Sequence, residues 1–232
     1  TLSGGRLMLG LGIGWLKSEF RAFDVPFAPA PERHAALGEA MAILEGAWRG
    51  EPFSFVGAHY RVDNLQLEPP PVQWPRPPIM VGGNGERVTL RLVARHADAC
   101  NVSELQDRGD GQEAVGGVET IRRKLDALRG HCADAGRPYD EVLRTHFTLK
   151  LVLAPTEAAA AAKLAAQRAD ASASPATRRA QPSAFVCGTP ERVAAHYRAL
   201  AEAGIQYFVV QLDAADEETL RLLATEVMPN VG

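Results

Sequence analysis

The sequence predicts an α/β fold in which parallel strands are covered by helices. Short apolar runs typical of strands alternate with amphipathic segments typical of helices along the 232-residue chain. The alternation repeats about five times, which is the pattern of successive strand–helix units. The stretch Pro77–Arg87 shows one unit most clearly, because an apolar run passes through a glycine turn into the start of a helix.

The composition narrows the class of protein. The chain is 46% hydrophobic with a net charge of -3, so it can build a substantial core and offers no basic surface for nucleic acid. Cys100, Cys132 and Cys187 are few and widely spaced. This indicates a reducing, cytoplasmic location and argues against disulfides or a zinc site. No apolar run predicts a membrane span, and no signal peptide is visible.

The glycine turn is the most informative stretch. Ile79–Val81 predicts a buried strand, and we expect a helix from Glu86 to His96. Glycines free the backbone for close approach, and helix N-termini attract anions. We therefore interpret the turn as a binding site for the phosphate of a flavin-like cofactor, formed by Gly82, Gly83, Asn84 and Gly85. The alternative is an ordinary βα turn in which glycine only relieves a tight corner.

The first strand and its exit lie within Gly5–Trp15. Gly10, Gly12 and Gly14 alternate with larger apolar residues, so one face carries almost no side chains. Such a face is typical of close approach by a ligand or another backbone. The spacing does not match the G-x-G-x-x-G dinucleotide fingerprint.

The remaining elements follow from periodicity and from breakers. Lys17–Pro31 is rich in Phe and Pro, which suits either a pocket wall or a packed surface loop. The other predictions are a helix from Pro31 to Trp48, a hairpin over 53–62, an extended Pro-rich run over 67–78, strands at 97–102, 143–154 and 205–212, a mobile loop at 105–117, helices at 118–135, 157–169, 189–203 and 216–228, and a flexible segment at 170–183.

Ligands of parallel α/β folds bind at the carboxyl ends of the strands. Gly14-Trp15, Gly82–Gly85 and Asn101–Ser103 all follow predicted strands. We therefore expect these three segments to share one pocket.

Several blocks resemble the luciferase-like monooxygenase family, in the family's order and spacing. They are Gly5–Trp15, Pro77–Gly85, Ala97–Asn101 and Gly188–Val193, and together they extend over nearly the whole chain. The amino-acid sequences of these blocks are most similar to those of oxidoreductases that use the deazaflavin cofactor F420. The resemblance implies a (β/α)8 TIM barrel of the bacterial-luciferase type. Residues 1–232 would form a single partial domain with the last five units, strands 4–8, and a hairpin and Pro-rich insertion.

The resemblance also implies roles for individual residues. Gly82–Gly85 would bind the cofactor phosphate through backbone N–H groups. The flavin or deazaflavin ring would be bordered by Gly12, Gly14, Trp15 and Ser18, and the substrate by Trp15, Phe20 and Phe23. Sugar-phosphate dehydrogenases of the family carry an acidic glutamate where this chain has Trp15, so that substrate is not supported.

By the resemblance, we expect the family's first three strand–helix units to have no counterpart in this sequence. Residues that bracket the ring on those units, often including a histidine, therefore cannot be named, and the catalytic residues stay unknown. We expect the chain to be a fragment or a truncated product of a longer enzyme.

The resemblance leaves three functions open. The leading one is an F420-dependent oxidoreductase that transfers hydride between the deazaflavin and a small organic substrate, as a homodimer when complete. The second is an FMN-dependent two-component monooxygenase, which uses O2 and receives reduced flavin from a separate reductase. The third is a non-catalytic flavin-binding protein or an inactive fragment.

Overall fold

Parallel pairing of strands, which the sequence predicts, organises the chain. A computed structural model describes residues 2–107, 113–169, 185–213 and 216–231. The chain divides into two compact units. Unit 1 comprises Thr1–Asn101 with Ala127–Leu143, and unit 2 comprises Val102–Asp126 with Arg144–Gly232. The single domain over residues 1–232 stays a prediction.

The strands are short. Their bounds are β1 Leu9–Leu11, β2 Phe53–Val56, β3 Arg61–Leu65, β4 Ile79–Gly82, β5 Ala99–Val102, β6 Leu105–Asp107, β7 Glu113–Val115, β8 Leu143–Thr148, β9 Leu151–Leu153, β10 Val186–Gly188 and β11 Tyr207–Val210.

Most helices lie between these strands, and the last helix follows β11. Their bounds are α1 Lys17–Ala22, α2 Ala30–Ala47, α3 Thr89–His96, α4 Gly117–Asp134, α5 Glu157–Ala169, α6 Pro190–Glu202 and α7 Glu217–Leu222. A 3-10 turn precedes β8 at Tyr139–Glu141.

In unit 1, β4 pairs in parallel with both β1 and β5. Leu11 lies beside Val81, and Gly82 lies beside Asn101, so the carboxyl ends of β1, β4 and β5 reach one edge. In β4, Ile79 and Val81 are buried, whereas β1 at the edge is only partly buried. Met41 of α2 and Leu90 and Val93 of α3 are also buried in the core. The predicted hairpin is present as β2 and β3, and Glu39 of α2 accepts from three successive amides of its turn, those of Ala58, His59 and Tyr60.

In unit 2, β8 pairs in parallel with β11, and β9 pairs in parallel with β10. Val152, Leu164 and Phe185 form one apolar cluster. The start of α6 matches its prediction, because Thr189 caps the helix by accepting from the Arg192 amide and Pro190 stands in the first turn. The predicted helix Glu157–Ala169 also matches.

Two predictions in unit 1 were wrong in detail. Residues 17–31 were expected to be an irregular loop, but Lys17–Ala22 forms the short helix α1. The helix expected from Glu86 begins only at Thr89. The cause lies in the preceding turn, where the Leu90 N–H donates to the Gly85 carbonyl five residues back, so the regular i to i−4 ladder starts later.

Three predictions in unit 2 were also wrong in detail. Residues 105–117 were expected to form a mobile loop, but Leu105–Asp107 and Glu113–Val115 pair as the antiparallel strands β6 and β7. The rest of that loop, 108–112, lies outside the described residues. The strand expected over 143–154 is two strands, because the chain changes partner from β11 to β10 at Leu149–Lys150. The last helix ends early at Leu222 and continues as a π-helical turn, where the Thr225 hydroxyl donates to the Arg221 carbonyl.

The segment 170–183, predicted to be flexible, lies outside the described residues. Its neighbours α5 and β10 are described on either side. Of the helices in the described ranges, none combines the length and the apolar character that crossing a membrane requires. Cys100, Cys132 and Cys187, all within the described residues, form no disulfide, and Cys100 and Cys132 are buried.

Candidate functional site

The ends of β1 and β4 approach each other closely, as the glycine pattern of β1 predicts. A Cβ atom added to Gly12 would lie 3.4 Å from the Gly82 carbonyl oxygen, and one added to Gly82 would lie 3.8 Å from the Leu11 carbonyl oxygen. The two backbones therefore run side by side with little between them. This leaves the strand ends bare of side chains where a planar group could approach the main chain.

The glycine turn, defined as Gly82–Gly85, leaves β4 at this edge. Gly83 has a φ of 148°, a conformation that other residues rarely adopt. Its N–H group donates to the Asn101 carbonyl at 3.1 Å, so this amide is already used within unit 1. Gly85 is exposed, and its carbonyl accepts from Leu90. Gly83 therefore ties the turn to β5 and is not a donor to a ligand in this conformation.

The donors that the turn offers lie one step further along the chain. Within the described ranges, the backbone N–H groups of Gly85, Arg87 and Val88 donate to no protein acceptor. All three residues are exposed. Unpaired amides before the first turn of a helix carry partial positive charge and are the usual donors to a bound phosphate. The backbone donors that a phosphate could use are therefore those from Gly85 onward, and the Gly83 amide is not one of them.

Thr89, the first residue of α3, supports the turn from beneath. Its side chain is buried, and its hydroxyl lies 3.0 Å from Nε2 of His34 on α2. A Cβ atom on Gly83 would meet the Thr89 methyl group at 3.1 Å, and one on Gly85 would meet the Thr89 hydroxyl at 2.8 Å. Packing against Thr89 therefore favours glycine at both positions, and the backbone conformation favours it at Gly83 as well.

A second histidine holds the same segment from α4. Nε2 of His131 lies 2.8 Å from the Glu86 carbonyl oxygen, and only the ring nitrogen can donate in that pair. The turn is thus fixed at Gly83, Gly85 and Glu86 by contacts from β5, α3 and α4 of unit 1.

The exit of β1 is held in a comparable way by α2. Gly14 has a φ of 71°, and the Phe20 ring would lie 2.6 Å from any Cβ added there. The Arg33 guanidinium donates to the carbonyls of Ile13 and Gly14, and it lies 4.1 Å from the centre of the Phe27 ring. Phe27 in turn meets Phe20 edge-on at 4.9 Å. These contacts shape the loop that follows the bare strand.

Not every residue predicted for the site joins this packing. Trp15 is 66% exposed and Phe23 is 80% exposed, while Ser18 is exposed on α1. Phe20 packs on Gly14, so it belongs to the wall of the β1 exit. Asn84 is partly buried within the turn. The structure thus brings Gly12, Gly14, Phe20 and the glycine turn to one edge of unit 1.

Sequence reasoning missed the residues that hold this edge in place, which are Arg33, His34, Thr89 and His131. Arg33, His34 and His131 act on segments distant in the chain, such as His34 on Thr89, 55 positions later, and Thr89 packs under the nearby turn. No local pattern marks such contacts.

A cavity of about 270 Å³ lies elsewhere in unit 1. Its lining includes Leu7 and Pro77, which precede β1 and β4, together with Trp48 and the Pro-rich run. It therefore opens at the amino-terminal ends of these strands, and none of the predicted site residues lines it.

Unit 2 contains a buried polar group that we call the Glu104 cluster, formed by Glu104, Lys124, His146 and His196. Oε2 of Glu104 lies 3.2 Å from Nε2 of His196 and 3.8 Å from Nε2 of His146. Lys124 is 1% exposed and donates to the carbonyls of Ser103 and Leu105. Among the described residues, no set of three or more His, Cys, Asp or Glu side chains is placed to hold a metal ion.

Burial and charge act against each other in this cluster. Burial lowers the pKa of His146 to about 4, although the neighbouring Glu104 favours its charged form. For Glu104, burial alone would raise the pKa, but the contact with His196 and the charges of His146 and Lys124 hold the pKa below its usual range. At neutral pH, His146 is therefore neutral and Glu104 is charged beside the Lys124 ammonium.

Comparison with known proteins places this architecture in a family. A family model described as luciferase-like monooxygenase matches residues 1–207. The chain belongs to the luciferase-like monooxygenase family. The resemblance inferred from the glycine blocks is thereby confirmed.

Relatives within the family use different cofactors. The chain is 33% identical over 135 residues to an FMNH2-dependent dimethylsulfone monooxygenase of Pseudomonas putida, covering 58% of this chain and 35% of that protein. It is also 33% identical over 151 residues to an F420-dependent hydroxymycolic acid dehydrogenase of Mycobacterium tuberculosis, covering 60% of this chain and 41% of that protein. The matches thus span less than half the length of these relatives.

Solved structures show the same fold. An F420-dependent secondary alcohol dehydrogenase in complex with an F420-acetone adduct has a TM-score of 0.78 and 17% identity, over 98% of this chain and 70% of that one. The F420-dependent tetrahydromethanopterin reductase of Methanopyrus kandleri has a TM-score of 0.73 and 18% identity, and the match covers 100% of this chain and 76% of that one. The α/β fold with parallel strands is therefore that of luciferase-like barrel proteins, while the count of five strand–helix units stays a prediction.

Proposed function

We propose that this chain belongs to an F420-dependent oxidoreductase that transfers hydride between the deazaflavin and a small organic substrate. The proposal starts from the family to which the chain belongs, whose members include an FMNH2-dependent monooxygenase and an F420-dependent dehydrogenase. The observation that carries the cofactor site, for F420 and FMN alike, is that among the described residues the amides of Gly85, Arg87 and Val88 have no protein acceptor beside the bare ends of β1 and β4. The choice of F420 follows the similarity of the sequence blocks to F420-dependent oxidoreductases. An anionic cofactor with a planar ring fits that combination.

The residues have distinct roles in this proposal. The amides after the glycine turn bind the phosphate, and Gly82, Gly83 and Asn84 set the path of the backbone that presents them. Gly12 leaves the main chain open to the ring, and Gly14, on which Phe20 packs, borders the ring together with Trp15 and Ser18. Trp15, Phe20 and Phe23 exclude water on the substrate side. When bound, the cofactor supplies the hydride chemistry, and the protein supplies orientation.

A second candidate is an FMN-dependent two-component monooxygenase. It is favoured by the match to the FMNH2-dependent dimethylsulfone monooxygenase, which is as close in identity as the F420-dependent relative. Such an enzyme uses O2, takes reduced flavin from a separate reductase, and uses the same phosphate donors. A homodimer and a small-molecule substrate are proposed by analogy in both cases.

The test is a pair of titrations of the chain with F420 and with FMN, each followed by tryptophan fluorescence. Saturable binding of F420 alone supports the leading proposal, and binding of FMN alone supports the second. Binding of neither contradicts the proposed cofactor site. Oxygen consumption with reduced FMN, but not with reduced F420, separates the two chemistries.

A substitution in the turn tests the site itself. Gly83→Val forces a side chain into a φ of 148° and against the Thr89 methyl group, so we expect cofactor binding to be lost. Gly130→Val is the matched control, because a Cβ atom at Gly130 meets nothing within 4 Å. Unchanged affinity in the Gly83 variant would contradict the phosphate assignment.

A further inference from the structure

We propose that Thr89 and His34 form a positioning pair that sets the glycine turn for phosphate binding. The inference rests on the phosphate role proposed above and deepens it by naming side chains that control that role. Neither residue belongs to the turn, and they come from different helices, α3 and α2. Their effect on a ligand is exerted through the backbone of Gly83–Gly85.

The hydrogen-bond geometry fixes the direction of the pair. Nδ1 of His34 lies 2.8 Å from the Ala30 carbonyl oxygen, which can only accept, so Nδ1 carries the hydrogen. In the neutral ring, Nε2 is then the acceptor. The Thr89 hydroxyl, 3.0 Å away, donates to it. His34 thereby holds the hydroxyl of Thr89 in one orientation.

That orientation decides which atoms of Thr89 face the turn. The methyl group lies against Gly83 and the hydroxyl lies against Gly85, at the distances that a Cβ atom on either glycine would violate. A rotation about χ1 would exchange these positions and place a different atom under each glycine. Since Thr89 is 4% exposed, its neighbours leave little room for such a rotation. The contact with His34 therefore selects the rotamer on which the turn rests.

Two backbone hydrogen bonds lie on either side of Thr89 and depend on this support. The Gly83 amide donates to Asn101, and the Leu90 amide donates to Gly85. While both are formed, the Gly83 amide is used and the amides of Gly85, Arg87 and Val88 remain unpaired. A shift of the turn would redistribute these donors, which would change the phosphate site without changing the ring site.

The decisive readout is therefore the part of the affinity that depends on phosphate. It is measured as the ratio of the dissociation constants of riboflavin and FMN, or of the dephosphorylated deazaflavin and F420. Thr89→Val keeps the shape but removes the hydroxyl, and we expect the ratio to fall about fivefold, the usual effect of one hydrogen bond. Thr89→Ser keeps the hydroxyl and should stay within about twofold of the wild type.

His34 provides the reciprocal test. His34→Leu removes the acceptor and should lower the ratio about fivefold, as in Thr89→Val. In His34→Gln the amide oxygen can accept from Thr89, so we expect most of the ratio to be restored. Equal loss of affinity for the phosphorylated and the phosphate-free ligand would overturn the proposal, because a purely structural role acts on both.

Thr148→Val is the matched control for the threonine substitution. The Thr148 hydroxyl is also buried and lies 2.9 Å from the Tyr197 hydroxyl, but it belongs to unit 2. We expect its ratio to equal that of the wild type. A ratio that falls as far as in Thr89→Val would show that any buried hydroxyl has this effect, and it would overturn the proposal.

A second measurement needs no cofactor and separates failure of the pair from failure of the proposed function. Amide hydrogen exchange of the chain alone should be about fivefold faster at Gly83 and Leu90 in Thr89→Val and His34→Leu than in the wild type. Unchanged exchange there overturns the pair. Faster exchange, with a wild type that binds riboflavin and FMN equally, confirms the pair as support of the turn and overturns the phosphate role.

Discussion

The glycine turn of unit 1 and the Glu104 cluster of unit 2 place polar groups near the core in opposite ways. Between the turn and α3, the backbone N–H groups of Gly85, Arg87 and Val88 have no protein acceptor among the described residues. The cluster uses side chains from Glu104 to His196, separated by up to 92 positions, and sets the Glu104 carboxylate beside His196 and the charge of Lys124. The difference shows that an open donor set suits a ligand, whereas a closed set of compensated charges suits the fold.

We expect the largest effect on stability from removing the negative charge of the Glu104 cluster. Glu104→Gln keeps the size of the side chain but removes the negative charge that faces the buried Lys124 ammonium. We expect the free energy of unfolding to fall by about 3 kcal/mol, because a buried charge loses its compensation. Urea unfolding monitored by circular dichroism measures this change.

Glu119→Gln is the matched control within the same unit. Glu119 makes an ion pair with Arg122 at 2.6 Å, but its side chain is 77% exposed. Exposed pairs contribute little, so the loss should stay below about 1 kcal/mol. Equal losses in the two variants would remove the distinction between a closed buried set and ordinary surface charge.

These two regions also mark how far the sequence can predict the molecule. The strand at Ile79–Gly82 and the glycine turn could be predicted because apolar runs and glycines act locally. The capped start of α6 at Thr189-Pro190 could be predicted for the same reason.

Other features could not be predicted because tertiary contacts decide them. The strand expected over 143–154 divides where its hydrogen-bonding partner changes. The Glu104 cluster depends on which helix faces which strand, and His146 looks like any polar strand residue in the sequence. Likewise, nothing near Thr89 in the chain indicates that His34 holds its hydroxyl.

The pH dependence of stability gives the second largest effect and tests the cluster independently. Folded His146 has a pKa of about 4, below the usual 6.5. Between these two pH values, His146 is protonated in the unfolded state but not in the folded state. Stability is therefore full above about pH 6.5 and falls as the pH is lowered, until the folded state is also protonated near pH 4. Glu104, whose pKa is also lowered, acts with the same sign at more acidic pH.

Between pH 7 and pH 5, we expect His146 to account for a loss of about 2 kcal/mol, from about 1.4 kcal/mol for each pH unit below its ordinary pKa. Urea unfolding at both pH values measures the fall in the free energy of unfolding between pH 7 and pH 5. In His146→Gln this fall should be about 2 kcal/mol smaller than in the wild type. His59→Gln is the control, since His59 is exposed on the β2–β3 turn and lies outside the cluster. A His146 variant with the wild-type pH dependence would contradict burial of a neutral imidazole.

The smallest effects on stability are expected from adding single methyl groups to glycines of unit 1. In Gly85→Ala, the new Cβ atom would lie 2.8 Å from the Thr89 hydroxyl, which His34 holds in place. We expect a loss of about 1–2 kcal/mol in the free energy of unfolding, because neither the turn nor Thr89 can move freely. Thermal or urea unfolding measures it.

Gly130→Ala makes the same chemical change in the same unit with the opposite sign. Gly130 is exposed within α4, and its added Cβ atom meets nothing within 4 Å, so alanine should stabilise the helix by about 0.5–1 kcal/mol. The difference between the two variants isolates the contact with Thr89 from the general effect of replacing glycine. If Gly85→Ala were neutral, Thr89 would have room to shift, and the turn would owe its shape to the backbone hydrogen bonds of Gly83 and Leu90 alone.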